Sequence, residues 1–199
     1  MECPKERKMS YNALTIWKPK PKVYEHVSQS EALAIIDKCS AGPKYRNCFR
    51  VLWYTGLRIN EVLAIRVKDV IDSMDGPVLL IIREKKGSNT HVERLPIPAD
   101  LGRTLKDYYQ AAKLQPNDKL FSGHDNSYRY QLRQTAKAAG IDYWQQIHPH
   151  MFRHGFIYHQ VSKGTHPLVL TQLVGHGSLA VTQGYYQPQE SDLRKAMEG

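Results

Sequence analysis

The chain has 199 residues, 41% hydrophobic and 24% charged, with a mean hydropathy of -0.53. That suffices for one full-sized domain with a short arm, and it excludes a disordered or membrane-embedded protein, since no apolar run reaches the ~18 residues of a membrane span. Lysine and arginine number 28 against 19 acids, a net charge of +9, so a polyanion is the first partner to consider.

Residues 1 to about 25 read as a basic arm or linker without a core of its own. Lys18-Pro19-Lys20-Pro21-Lys22 alternates lysine with proline, which no helix interior accommodates, and reads as extended. No apolar stretch follows the first basic residues, so a secretory signal is not expected. The domain is expected over 26–199. Ser28-Gln29-Ser30-Glu31 is a capping box that opens a helix to about Cys39. Gly42-Pro43 breaks it and starts a second helix, whose apolar face is Cys48, Phe49, Val51, Leu52 and Trp53. Thr55-Gly56 interrupts, and a short helix carries Ile59, Val62, Leu63 and Ile65.

The period then changes. Pro77–Ile82 is a β-branched run of strand length, Lys86-Gly87-Ser88-Asn89 is turn-like, and Val92–Ile97 returns, with a third short strand near Val67–Ile71. Helices resume over about Ala99–Leu114, Ser127–Ala139, Pro149–Lys163 and Pro167–Val174, the last three stopped by Gly140, Gly164 and Gly175. A last helix is expected from about Ser191. The fold class is therefore α+β, mostly helical with one small antiparallel sheet.

The cations are arranged rather than scattered. Arg129, Arg133 and Lys137 fall at i, i+4 and i+8 on one helix stripe, flanked by Tyr128 and Tyr130. Lys44, Arg46, Arg50 and Arg58 follow one another with no acid between them. Solvated faces would look the same singly; together they suggest a surface that tracks a nucleic-acid backbone. Cys3, Cys39 and Cys48 are odd in number and irregularly spaced, which favours free thiols in a reducing compartment, here the cytoplasm.

Six of the nine histidines lie between His148 and His176, so a metal must be weighed. His150 and His154 are i, i+4, but the glutamate of a His-Glu-x-x-His helix is missing and Arg153 stands between them, so no metal is expected. No phosphate-binding glycine loop or serine-nucleophile elbow is present, and no cofactor is expected. What remains is Arg58 with Glu61 at i+3, His150 with Arg153 on one helix face, His176 in a Gly-His-Gly turn, and Tyr185-Tyr186 nine residues later. Such cations suit an anionic pentacoordinate phosphorus, and a tyrosine beside them suits a phosphoryl-accepting nucleophile.

In order, Thr55-Gly56-Leu57-Arg58-Ile59-Asn60-Glu61-Val62-Leu63, Lys86-Gly87 with Glu93-Arg94-Leu95-Pro96-Ile97, His148-Pro149-His150-Met151-Phe152-Arg153-His154, and Leu173-Val174-Gly175-His176 through Tyr185-Tyr186 resemble the motifs of the tyrosine recombinases, or phage integrases. The resemblance spans about Ser28 to Pro188. It implies a catalytic domain that cleaves and rejoins duplex DNA through a 3′-phosphotyrosyl intermediate, without metal or nucleotide. By resemblance Arg58, Lys86, His150, Arg153 and His176 are the catalytic cations and proton carriers, Glu61 supports Arg58, and Tyr185 is the nucleophile. Lys44, Arg46, Arg50, Arg129, Arg133 and Lys137 are expected on the DNA. The resemblance also implies a homo-oligomer on DNA, a tetrameric synapse, from a chain that is a monomer when free. In the family a tail such as the apolar face of Leu193, Ala196 and Met197 docks on a neighbouring subunit; packing on its own domain is the alternative. The stretch from Lys86 to Pro96 is slightly long for the family, leaving Lys85 as a rival for the hairpin lysine, and the family's N-terminal DNA-clamping domain is expected to be absent. A DNA-relaxing enzyme of type IB topoisomerase character, or a non-catalytic DNA-binding protein on the same fold, are the alternative functions.

Overall fold

A computed structural model of the chain describes residues 24–84, 90–175 and 178–186, with Arg194 and Met197. Helix α1 (Gln29–Asp37) opens on the expected capping box: Ser28 Oγ accepts from Glu31 N at 3.3 Å, and Glu31 Oε2 accepts from Ser28 N at 2.8 Å. Its buried face is Ala32, Ile35 and Ile36. Helix α2 (Pro43–Thr55) starts on Pro43, whose missing N–H costs nothing there, and buries Cys48, Phe49, Val51, Leu52 and Trp53. It ends at Gly56, which has φ 64° and lies so close to Phe156 that a β-carbon would overlap the ring. Helix α3 (Ile59–Ala64) follows at once.

Strands β1 (Val70–Ser73), β2 (Gly76–Glu84) and β3 (Thr90–Pro96) form an antiparallel sheet in that order. Leu79 pairs with Leu95, Ile81 with Glu93 and Arg83 with His91. Leu79, Ile81 and Arg83 are buried, whereas Ile82 between them is half exposed, as the period of two requires. The third strand begins later than the sequence suggested. Val67–Asp69 is a single 3-10 turn, because the Asp69 carboxylate accepts from Arg66 N at 2.8 Å and closes it.

Helix α4 (Ala99–Ala111) stops short of Leu114 at Lys113, whose φ of 55° cannot continue a helix. Helix α5 (Asp125–Ala138) begins two residues before Ser127. Helices α6 (Pro149–Ser162) and α7 (Pro167–Val174) lie where the punctuation by proline and glycine placed them. One more helix, α8 (Leu179–Gln183), was not foreseen. The expected helix from Ser191 lies outside the described residues apart from Arg194 and Met197, both helical.

Helix α2 lies at the centre, against α6, α4 and α5, within one main core. A second, smaller cluster consists of Phe156, Ile157, Leu170 and Val174, with Val161, Tyr185 and Tyr186 packed on it. Tyr24, within the expected arm, already packs: its ring stacks on Tyr143 with centroids 3.7 Å apart, and Val27 is fully buried. Cys39 and Cys48 are free and buried, and burial pushes the Cys48 thiol up. Among the described residues no helix is long and apolar enough to cross a membrane.

Candidate active site

Arg58 caps the start of α3, directly after the Gly56-Leu57 turn. Glu61 holds it twice: Oε2 accepts from the Arg58 backbone N–H at 2.7 Å, and Oε1 pairs with the guanidinium at 3.0 Å. The arginine side chain remains 44% exposed while Glu61 is largely covered, so the carboxylate fixes a cation that faces solvent.

Arg153 on α6 has the opposite setting. It is 4% exposed, and its guanidinium donates from Nη1 to Gly56 O and from Nη2 to Val174 O, both at 2.8 Å. It thereby ties together the turn before Arg58 and the end of α7. Burial, then the neighbouring charge of Arg58, push its pKa down to about 10, which leaves it a cation at neutral pH. His150 stands one turn earlier on α6 and is exposed. Rings of His148, His150 and His154 form a row with successive centroids 6.5 and 6.3 Å apart. Burial first, then Arg153, hold the pKa values of both His150 and His154 below the usual imidazole range.

The last carbonyls of any helix lack partners within it. Those of α7 are met by two buried arginines. Arg83 of β2, 6% exposed, donates from Nη1 to Gln172 O at 2.9 Å and from Nη2 to Leu173 O at 2.6 Å; Arg153 takes Val174 O. Glu93 of β3, diagonal to Arg83 across the sheet, compensates its charge at 3.1 Å. Gly175 follows with φ 65°, and a β-carbon there would overlap the Arg83 guanidinium. The chain therefore leaves α7 at Gly175 from a point anchored to both the sheet and α6.

Helix α8 then delivers the two tyrosines to different places. Tyr185 Oη lies 2.8 Å from His154 Nδ1, and its ring meets Tyr158 edge-on at 5.1 Å. Burial raises its pKa, and Arg153 opposes that rise. Tyr186 turns away, its hydroxyl donating to Thr165 O. Of the two hydroxyls, that of Tyr185 meets His154 of α6.

Arg58, Glu61, His150, Arg153 and Tyr185 are thus gathered around the junction of α3, α6, α7 and α8. Lys86, its rival Lys85, and His176 lie outside the described residues. Two participants were not anticipated. Arg83 had a signal in the alternation of β2, which puts it on the face of Leu79 and Ile81. His154 was visible only as a possible metal partner of His150. Among the described residues no group of three or more histidine, cysteine or acidic side chains could hold a metal ion.

The expected DNA-contacting cations divide in two. On α5, Arg129 Nε donates to Asp125 Oδ2 at 3.0 Å, Arg133 Nε donates to Ile147 O at 3.2 Å, and Lys137 lies 5.1 Å over the Trp144 ring. Arg133 and Lys137 are exposed, as is Tyr130, but Tyr128 is a core residue whose hydroxyl donates to Ser122 O. On α2, Arg46 donates from Nε and Nη2 to Cys39 O at 3.2 and 2.7 Å, so it closes the end of α1. Lys44 lies 4.7 Å over the Tyr45 ring, and Arg50 donates to Asn47 Oδ1 at 3.3 Å.

The sequence model of the phage integrase family matches residues 25–192. A tyrosine recombinase of Pseudothermotoga lettingae is 30% identical over 139 residues, 68% of this chain and 46% of that protein. Tyrosine recombinase XerA of Saccharolobus solfataricus is 33% identical over 146 residues, 73% of this chain and 46% of its own. The chain spans about half the length of the curated relatives it matches. Among solved structures, a XerA recombinase is similar in fold with a TM-score of 0.67 at 23% identity, covering 89% of this chain and 65% of that one. XerH recombinase bound to its difH substrate gives a TM-score of 0.68 at 21% identity, over 89% and 55% of the two chains. The catalytic domain of bacteriophage HP1 integrase gives 0.64 at 20%, over 87% and 93%.

Proposed function

Because the chain belongs to the phage integrase family, we propose that it is a site-specific recombinase that cuts and rejoins duplex DNA through a covalent link to Tyr185. The observation that carries this reading is the meeting of Tyr185, from the end of α8, with His154 of α6 beside Arg153, a residue that is also tied to the turn before Arg58. In this reading Tyr185 Oη attacks the scissile phosphorus, forming a 3′-phosphotyrosyl bond and releasing the 5′-oxygen. Arg58, exposed and held by Glu61, receives a non-bridging oxygen, and Arg153 supplies a fixed positive charge in the floor of the site, where burial strengthens its effect on a dianionic transition state. Lys86 is assigned the protonation of the leaving oxygen and His176 a hydrogen bond to the phosphate. The phosphotyrosine conserves the bond energy, so a 5′-hydroxyl can reverse the step with no cofactor.

Duplex DNA is the partner in this reading, and the chain acts as a tetramer on it after binding as a monomer. The buried free thiols of Cys39 and Cys48 suit the cytoplasm. A nicked duplex that traps the covalent product tests the reaction. Wild-type protein forms a DNA adduct that survives denaturation. Tyr185→Phe binds the duplex but forms none, since only the attacking oxygen is lost. Tyr186→Phe still forms it, because that hydroxyl is engaged by Thr165 O. An adduct in the Tyr185→Phe protein, or DNA mapped to Tyr186, would overturn the assignment.

A further inference from the structure

We propose that His154, not His150, is the base that takes the Tyr185 proton during strand cleavage; this rests on the reading of Tyr185 as the nucleophile. The geometry is direct. Tyr185 Oη lies 2.8 Å from His154 Nδ1, within the range of a strong O–H to N hydrogen bond, with the two ring centroids 5.8 Å apart. His150, one turn away on the same face of α6, is exposed, and its ring lies edge-on to that of His154 with centroids 6.3 Å apart.

The protonation states fit the direction of transfer. Every element packed around His154 bears on its charge. Arg153 and His148 disfavour the imidazolium from α6 and its cap, His26 does so from the segment before α1, and Glu25 in that segment acts in the opposite sense. His150 and Tyr158 of α6 and Tyr185 complete the surroundings. Burial outweighs each of these, so the imidazole is neutral at pH 7, and in the tautomer protonated at Nε2 its Nδ1 is the acceptor. The phenol, whose pKa burial raises, is protonated and donates to it. A phenol in this state is a poor nucleophile unaided, so the proton needs an acceptor at the moment of attack.

The step balances. As the bond from Oη to phosphorus forms, the phenolic O–H breaks and its proton passes to Nδ1. The bond from phosphorus to the 5′-oxygen breaks, and that oxygen takes a proton from the acid assigned to Lys86. In rejoining, the 5′-hydroxyl returns its proton to the group assigned as acid, Lys86, as it attacks; the bond from phosphorus to Tyr185 Oη breaks, and that oxygen recovers its proton from the His154 imidazolium.

Single-turnover cleavage of the nicked duplex, followed from pH 5 to 9, tests the assignment. Protonated His154 cannot accept, so the wild-type rate should fall as pH drops through its pKa, below the ordinary value of about 6.5. His154→Asn retains an acceptor near the Nδ1 position but cannot take a proton at these pH values. It should bind the duplex as wild type does, cleave ~10²-fold more slowly or worse, and lose the acidic limb. Added imidazole should restore cleavage to His154→Ala in a saturable manner, a rescue that a purely structural histidine would not show. Cleavage by His154→Asn at the wild-type rate, or an acidic limb that persists in it and vanishes in His150→Gln, overturns the proposal. Absence of the adduct from wild-type protein, or its presence in Tyr185→Phe, would instead overturn the nucleophile assignment beneath it.

Discussion

Arg83 occupies a strand position that alternation reserves for an apolar side chain, beside Leu79 and Ile81. A buried guanidinium survives there because Glu93 supplies the opposite charge and two α7 carbonyls accept its protons. Arg83→Met keeps the stem and removes the charge, leaving Glu93 and the carbonyls of Gln172 and Leu173 without that partner. The variant should lose ~3 kcal/mol of unfolding free energy in urea, and the double variant Arg83→Met/Glu93→Gln should recover part of it. A loss under ~1 kcal/mol, the range of a surface pair, would remove Arg83 from its anchoring role. At this scale the sequence was informative wherever a residue's partner is near in the chain. Arg58 with Glu61, and His150 with Arg153, are three apart, and their spacing is visible. Arg83 meets carbonyls 89 and 90 residues away, and His154 meets a tyrosine 31 residues away; no local pattern records such contacts.

Helix α7 has three successive terminal carbonyls on buried guanidiniums, so its end is fixed by cations as well as by the apolar packing of Leu170 and Val174. Gly175 serves both that contact and the left-handed turn. Gly175→Ala should therefore cost more than the usual ~1 kcal/mol of a left-handed alanine, because the guanidinium must also move. Thermal unfolding of this variant beside Gly140→Ala, where φ is 75° and a β-carbon meets open space, isolates the second part. Equal costs would mean that Arg83 yields freely. Elements long enough to show a period or framed by proline and glycine were legible, α7 to the residue. Helix α8 has five residues, little more than one turn, and shows no period to read. The start of β1 was displaced by the Asp69 side chain, a hydrogen bond that hydrophobic patterning does not encode.

The whole molecule carries +9, and its proposed partner is a polyanion, so duplex affinity should fall steeply with salt. Among the described residues Arg129 and Arg133 each make one bond to a protein acceptor, and Lys137 rests on an indole. Their joint replacement by glutamine should reduce the slope of log affinity against log salt by up to ~0.9 for each phosphate they neutralise. An unchanged slope would take α5 off the DNA. Arg46→Gln, by contrast, should lower stability more than affinity, since its protons are on Cys39 O. The division of the interior into two clusters has a consequence for how the molecule works. The smaller one, of Phe156, Ile157, Leu170 and Val174, is where the ring of Tyr185, the proposed nucleophile, rests. Leu170 and Val174 are also held through the α7 carbonyls on Arg83 and Arg153, and Phe156 lies against Gly56, whereas the two tyrosines pack on the cluster from its edge, so their segment has the least to break on opening. Presenting and withdrawing the proposed nucleophile therefore asks only that the segment carrying Tyr185 and Tyr186 lift from the cluster, while α6, α7 and the interior around α2 stay closed.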